Sequence, residues 1–243
     1  STPLLHKGLF IIALDATNEG KIIAMDIESG DVVWQTPRGG HDSWATPVFA
    51  TVAGREQLLL SGLGKLSSYD PRTGKELWSA AHSPQSTCGT AVWTDDMIFV
   101  SGGYPTNQTV GIKADGSGKV VWKNPERCYE QSLLSHDGLI YGVTDSGNAF
   151  CWEAATGERL WKERIGRGGI MASPLLVGDL VFTTLKNGKT VIFKAGRSFV
   201  KVAENSLGDD TYATPVAVGD DLLLRVGFVN EDERNEVLYC LGR

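Results

Sequence analysis

Four stretches of the chain are versions of one decapeptide: MDIESGDVVW at 25–34, YDPRTGKELW at 69–78, KADGSGKVVW at 113–122 and WEAATGERLW at 152–161. A second landmark keeps step with it. STP stands at 1–3, ATP at 45–47, ASP at 172–174 and ATP at 213–215, with weaker forms GTA at 89–91 and QSL at 131–133. The central residues Thr2, Thr46, Thr90, Ser132, Ser173 and Thr214 recur about every forty residues, the mark of a repeat architecture. The units run at about 1–44, 45–88, 89–130, 131–171, 172–212 and 213–243, and almost nothing is left over.

Each unit holds four short apolar segments separated by turn residues. In the fifth these are SPLLV, DLVFTTL, KTVIFK and FVKVAE, divided at Gly178–Asp179, Asn187–Gly188 and Gly196–Arg197. Short β-branched and aromatic runs bounded by Gly, Asn and Asp are strands joined by hairpins. Four strands per forty residues, repeated, predict an all-β fold: a single β-propeller domain over 1–243 of six consecutive four-stranded units. The last unit stops at VLYCLGR, before its outer strand.

The decapeptide spans the end of a third strand, a turn and the start of a fourth. Asp26 and Asp70 are placed to accept backbone N–H groups across the turn. Gly30, Gly74, Gly118 and Gly157 supply the positive φ that such a loop needs. Trp34, Trp78, Trp122 and Trp161 are expected to dock each blade on its neighbour, each contributing about 2–3 kcal/mol by buried area. Pro3, Pro47, Pro174 and Pro215 mark an innermost strand with one unpaired edge, where a missing donor does no harm. A small residue recurs on the third strand at Ala24, Ser68, Cys151 and Cys240, which makes the two cysteines packing residues.

Composition excludes several functions. The net charge is −6 with both signs scattered, so no basic stripe exists for nucleic acid. The chain contains no run of eighteen apolar residues, so no membrane-spanning helix is expected. The four cysteines show no metal-ligand spacing. STPLLHKGLF lacks the basic and apolar regions of a secretory leader, although a processed protein would read the same way.

The repeated xDxxTGxxxW pattern, with [AS][TS]P opening the next unit, resembles the pyrroloquinoline-quinone (PQQ) type propeller repeat over essentially the whole chain. MDIESGDVVW and YDPRTGKELW lie close to the family pattern; WEAATGERLW has Glu153 for Asp, and KADGSGKVVW carries an extra turn residue. In the fifth unit the motif has decayed to FKAGRSFVKV, with Val202 where Trp is expected. The resemblance implies one of two branches. One is a non-catalytic branch, similar to the lipoprotein subunit of the outer-membrane protein assembly machinery. It would be a periplasmic or otherwise extracytoplasmic scaffold that binds a protein or small-molecule partner and needs no cofactor. The other is a PQQ- and calcium-dependent quinoprotein alcohol or sugar dehydrogenase. Those enzymes carry an adjacent Cys–Cys pair, which this chain lacks. Two closures also stay open: six units of an eight-bladed propeller, or a six-bladed ring with one three-stranded blade.

In such a propeller the loops leading from each fourth strand line one mouth. They present His41, Asp42, Ser43 and Trp44; Gln85 and Cys88; Arg127, Tyr129 and Glu130; Arg167 and Met171; and Asp209, Asp210 and Tyr212. The second-to-third-strand hairpins share that face. From these we expect a ligand- or partner-binding mouth of His41, Asp42, Trp44, Arg127, Tyr129, Glu130, Arg167, Asp209 and Tyr212. His41, Asp42 and Ser43 are too close along one loop to converge as a triad, so no catalytic residue is expected. Asp209–Asp210 is the one pair suggestive of calcium, but two adjacent carboxylates more often belong to a solvated turn, and no metal site is expected.

Overall fold

The computed structural model describes residues 1–40, 42–82, 84–230 and 233–242. His41, one of the expected mouth residues, therefore lies outside the described residues. Among those described, every regular element is a strand. They form antiparallel meanders, five of four strands and one of three, each strand pairing with its neighbour in sequence.

Two compact units divide the chain. The first comprises Ser1–Tyr129 with Ala154–Gly157, the second Glu130–Glu153 with Glu158–Arg243. In the first unit, one sheet runs Leu4–His6, Leu9–Leu14, Gly20–Asp26 and Val32–Gly39. The next runs Val48–Val52, Arg55–Gly62, Lys65–Tyr69 and Glu76–Ala81, and the third Val92–Trp93, Met97–Gly102, Gln108–Lys113 and Val120–Asn124. The second unit holds a sheet from Leu134 to Arg164, another from Leu175 to Ser206, and the three-stranded Val216–Val218, Asp221–Asn230 and Glu233–Leu241.

Within each unit, neighbouring sheets share a buried core. Leu58 and Leu60 join Ile11, Ile22 and Ala24 of the first sheet, while Leu59 faces Ile98 and Ile112 of the third. The unbroken Leu58-Leu59-Leu60 run is thus a strand buried on both faces with period-two alternation. In the second unit Tyr141, Cys151 and Trp161 pack with Val181, Val191 and Phe193 in the same way.

The decapeptide has one geometry wherever it is intact. Trp34 pairs across the ladder with Ala24, Trp78 with Ser68, Trp122 with Gly111 and Trp161 with Cys151, and a β-bulge follows each of these third-strand residues. The small residue opposite leaves room for the indole; Gly111 belongs to this set although its identity did not announce it. Asp26 Oδ1 accepts the N–H groups of Glu28 and Ser29 at 3.0 and 2.8 Å, and Asp70 Oδ1 accepts those of Arg72 and Thr73. These bonds hold the Asp26 carboxyl below its ordinary range, Ser29 contributing most. In the fifth sheet the ladder puts Ala203, not Val202, opposite Ile192, so the decayed turn is a residue longer than its sequence suggests.

Trp34, Trp78 and Trp122 are 8% exposed and Trp161 9%. Three of the four indoles donate to the turn of the next repeat: Trp34 to Pro71 O at 3.2 Å, Trp122 to Ala154 O at 2.8 Å and Trp161 to Gly196 O at 3.1 Å. Trp78 differs. Facing the longer turn of the third sheet, it donates to Gln57 Oε1 within its own sheet at 2.8 Å.

The second landmark joins repeats by a different bond. The Thr2 amide donates to Thr46 Oγ1, the Ser132 amide to Ser173 Oγ and the Ser173 amide to Thr214 Oγ1, at 2.9 to 3.1 Å. The period of the sequence, 44 or 41 residues, is the sequence separation of these bonds. The prolines that follow stand just before each first strand rather than inside it.

Candidate functional site

The strongest constellation lies in the first unit, where loops from all three of its sheets meet around a cavity of about 350 Å³. It is lined by Thr17, Asp42, Trp44, Gln85, Ser86, Tyr104 and Tyr129. Trp44 is 54% exposed and Tyr104 61%, which is unusual for rings of this size.

Backbone bonds fix these loops to each other. The Trp44 amide donates to Thr87 O at 2.8 Å, the Gln85 amide to Tyr104 O at 2.8 Å and the Leu63 amide to Gln85 O at 2.7 Å. Buried Ser43 donates to Thr87 O at 3.1 Å, so this hydroxyl braces the loop. Asp42 is held from two sides: Thr17 Oγ1 donates to its carboxylate at 2.9 Å and Ser86 Oγ to its carbonyl at 2.8 Å. Tyr129 packs where Gly103 has no side chain; a Cβ there would fall 2.8 Å from the ring and 2.8 Å from Arg127 Cδ. Arg127 lies 5.5 Å above that ring and donates to Asn107 Oδ1 at 3.2 Å.

Behind the cleft is a buried ion pair. Arg38 donates from Nε to Asp15 Oδ1 at 2.8 Å, from Nη2 to Asp15 Oδ2 at 3.2 Å and from Nη1 to Tyr69 Oη at 2.8 Å. Both side chains of the pair are at most 3% exposed. It anchors the strand end that leads into the Asp42 loop and the loop that carries Thr17.

Glu130, Arg167, Asp209 and Tyr212 fall in the second unit. There the Arg167 loop, the Lys186 hairpin and the Tyr212 loop touch: Arg167 O accepts from Asn187 Nδ2 at 3.3 Å, and Lys186 O accepts from the Thr211 amide at 3.1 Å. Lys186 and Arg234 both lie over the Tyr212 ring, at 5.6 and 6.0 Å. Glu130 makes none of these contacts.

The neighbouring carboxylates Asp209 and Asp210 are each engaged by other groups of the protein. Asp210 receives two bonds from Arg234, at 2.7 and 2.8 Å, and is held below the usual carboxylate range chiefly by them. Asp209 accepts the Val229 amide at 2.8 Å. Among the described residues no group of three or more His, Cys, Asp or Glu is arranged to hold a metal ion. Among the described residues, Asp209 and Asp210 are engaged by the Val229 amide and Arg234 and do not form the cage of free oxygens that the calcium of a quinone site would need.

The sequence reading placed Asp42, Trp44 and Tyr129 at one opening, and these three line one cleft with Arg127 behind them. It passed over Tyr104, Thr17 and Ser86. Tyr104 sits in the hairpin GGYPTNQ between the second and third strands of its sheet, and the length of that hairpin was the available signal. Thr17 had no signal beyond lying in the corresponding hairpin of the first sheet.

Known proteins agree with this architecture. The family model described as outer membrane protein assembly factor BamB matches residues 1–163 and 106–206. BamB of Legionella pneumophila (strain Paris) is 28% identical over 144 residues, covering 55% of this chain and 37% of that protein. BamB of Shewanella oneidensis is 23% identical over 202 residues, covering 76% of this chain and 47% of that protein. The chain thus matches less than half the length of these curated relatives. Among solved structures, BamB from Moraxella catarrhalis superposes with a TM-score of 0.71 at 18% identity, covering 92% of this chain and 68% of that one. The computationally designed Ika8 protein superposes with a TM-score of 0.69 at 12% identity. At such identities the structural likeness speaks for the fold alone.

Proposed function

The chain belongs to the PQQ-like repeat β-propeller family whose model is described as outer membrane protein assembly factor BamB, and from that premise we propose that it is a non-enzymatic protein-binding scaffold. Its six sheets are consecutive blades of one propeller domain. It acts outside the cytoplasm, in the periplasm, as part of an assembly of the kind its relatives' name describes. The partner docks on loop-lined surfaces, that of Asp42, Trp44, Arg127 and Tyr129 in the first unit and that of Glu130, Arg167, Asp209 and Tyr212 in the second.

One observation carries this reading: a cleft with two exposed aromatic rings, held open by cross-bonded loops, in a family of assembly factors. Large rings left in water on a rigid frame are the usual anchors of an interface. Beside the cleft, among the described residues, the buried hydroxyls of Ser43 and Thr87 are bonded to each other, and Ser43 also donates to Thr87 O.

A photo-reactive amino acid at position 44 or 212, expressed in the native cell, is expected to give a covalent adduct with a discrete protein. Trp44→Ala combined with Tyr212→Ala should abolish that partner's co-purification while the melting temperature stays within a few degrees. Unchanged co-purification of every partner would sink the mouth as the binding surface.

A further inference from the structure

We infer that the cleft of the first unit holds a proline-rich, positively charged peptide segment in the polyproline II conformation. The inference rests on the scaffold reading and names the partner chemistry of that site.

The apolar surface of the cleft is made of flat rings alone. Trp44, Tyr104 and Tyr129 line it, and among the described residues no aliphatic side chain does. A leucine or isoleucine anchor would find no matching aliphatic wall, whereas a pyrrolidine ring stacks on an aromatic face. Aromatic-lined grooves are the established receptors of polyproline II segments.

Hydrogen bonding points the same way. A polyproline II strand makes no internal hydrogen bonds, so its carbonyls need outside donors. Among the described residues, no hydrogen bond engages the Trp44 indole N–H, the Gln85 amide group or the phenols of Tyr104 and Tyr129, and all four lie at the cleft. Donors are therefore spread along the rings that would stack the prolines. The receptor is also fixed in advance, by the amide bonds from Trp44 to Thr87 and from Gln85 to Tyr104. A preformed groove and a preformed helix lose little freedom on meeting.

Charge selects the peptide over other ring-bearing ligands. Among the described residues Asp42 is the one charged side chain of the lining; its carboxylate is bonded by the Thr17 hydroxyl and no described cation pairs with it, while the Arg127 guanidinium behind the Tyr129 ring is engaged by Gly103 O and Asn107. A neutral sugar would stack on the same rings and leave that charge unanswered. An arginine or lysine next to the prolines would meet it.

Trp44 provides the readout, because Trp34, Trp78, Trp122, Trp152 and Trp161 are buried and Trp93 is half-buried. The whole chain is titrated with a peptide of four prolines flanked by arginines, following tryptophan fluorescence and, independently, heat. The controls are the same peptide with alanines for prolines, one with glutamates for arginines, and a neutral oligosaccharide. Saturable binding of the first alone is expected. Tyr104→Ala should weaken it about tenfold or more. Asp42→Asn should weaken it severalfold at low salt and little at high salt, since the attraction lost is between exposed charges. Tyr104→Phe, which keeps the ring and removes only the hydroxyl, should retain most of the affinity and guards against a folding artefact. Equal binding of the alanine peptide, no binding up to about 1 mM, or saturation by the sugar instead would each overturn the proposal. Photo-adducts from position 44 without proline-peptide binding would overturn it and leave the scaffold reading standing; loss of both would remove the two together.

Discussion

Arg38 and Asp15 show what one pair of side chains can cost or spare. Their charges are almost wholly withdrawn from water and joined by two bonds, with Tyr69 satisfying a further guanidinium nitrogen. Removing one partner strands the other charge in a low-dielectric setting, which costs about 3–5 kcal/mol. Arg38→Ala is therefore expected to lower the urea unfolding free energy by that amount, with the loops around Asp42 loosened as well. The paired replacement Asp15→Leu with Arg38→Met should recover most of the loss, because a well-packed apolar pair avoids the desolvation altogether. A double variant as unstable as the single one would mean that the guanidinium stabilises through Tyr69 rather than through the carboxylate. The glycines of the decapeptide act at the same scale by omission. Gly74 takes φ +69°, and a Cβ there would press into the Trp34 ring; at Gly157 it would come within 2.5 Å of Trp122.

Elements differ in how much of them the sequence disclosed. The meander of each sheet was legible because the decapeptide and the [AS][TS]P landmark recur, and recurrence filters local accident from design. The tryptophans and turn glycines were legible for the same reason. Whatever occurs once was not. The Arg38–Asp15 pair, the Gln57 acceptor for Trp78 and the Tyr104 hairpin have no counterparts elsewhere in the chain to point at them. Decay hides geometry too, and so Ala203 rather than Val202 faces Ile192. The candidate cleft was half visible: its residues after fourth strands could be aligned between units, while those from the hairpins could not. The sixth sheet stands apart. Its strand Glu233–Leu241 is exposed along nearly all of its length, and Leu238 is 66% exposed. Few apolar contacts and one unpaired edge make a strand open easily. In hydrogen exchange its amides should lose protection first among the strands, and those of Leu58–Leu60 last. Comparable protection in both would show that the isolated chain covers the edge of Glu233–Leu241, for instance by self-association.

For the molecule as a whole, acidity is the informative stress. Burial pushes the His82 imidazole down to about 4, with Lys123 adding a little and backbone bonds opposing. An unfolded chain would take up that proton near pH 6.5. The neutral ring therefore contributes stability that is fully present above about 6.5 and is lost as the pH falls toward about 4, on the order of 3 kcal/mol in all. Asp26, Asp115, Glu56, Glu204 and Asp210 act in a lower window. Their folded values are depressed, so their contribution persists down to the ordinary carboxylate range and disappears only below it. Urea midpoints between pH 7 and pH 5 should thus drop mainly on account of His82, and His82→Gln should flatten that slope. A slope unchanged by the substitution would shift the cause to other groups.

The amide-to-hydroxyl links from Ser132 to Ser173 to Thr214 have a consequence for how such a chain changes over generations. Donor and acceptor in each link come from the same short motif, and Ser173 carries both halves, its hydroxyl accepting from one repeat and its amide donating to the next. A duplication or deletion that begins at one landmark and ends at the next would leave no joint unmatched, whatever the length of the hairpins in between. Copy number is then free to drift under selection while the joinery stays constant, and loops such as those that carry Trp44 and Tyr104 are free to vary.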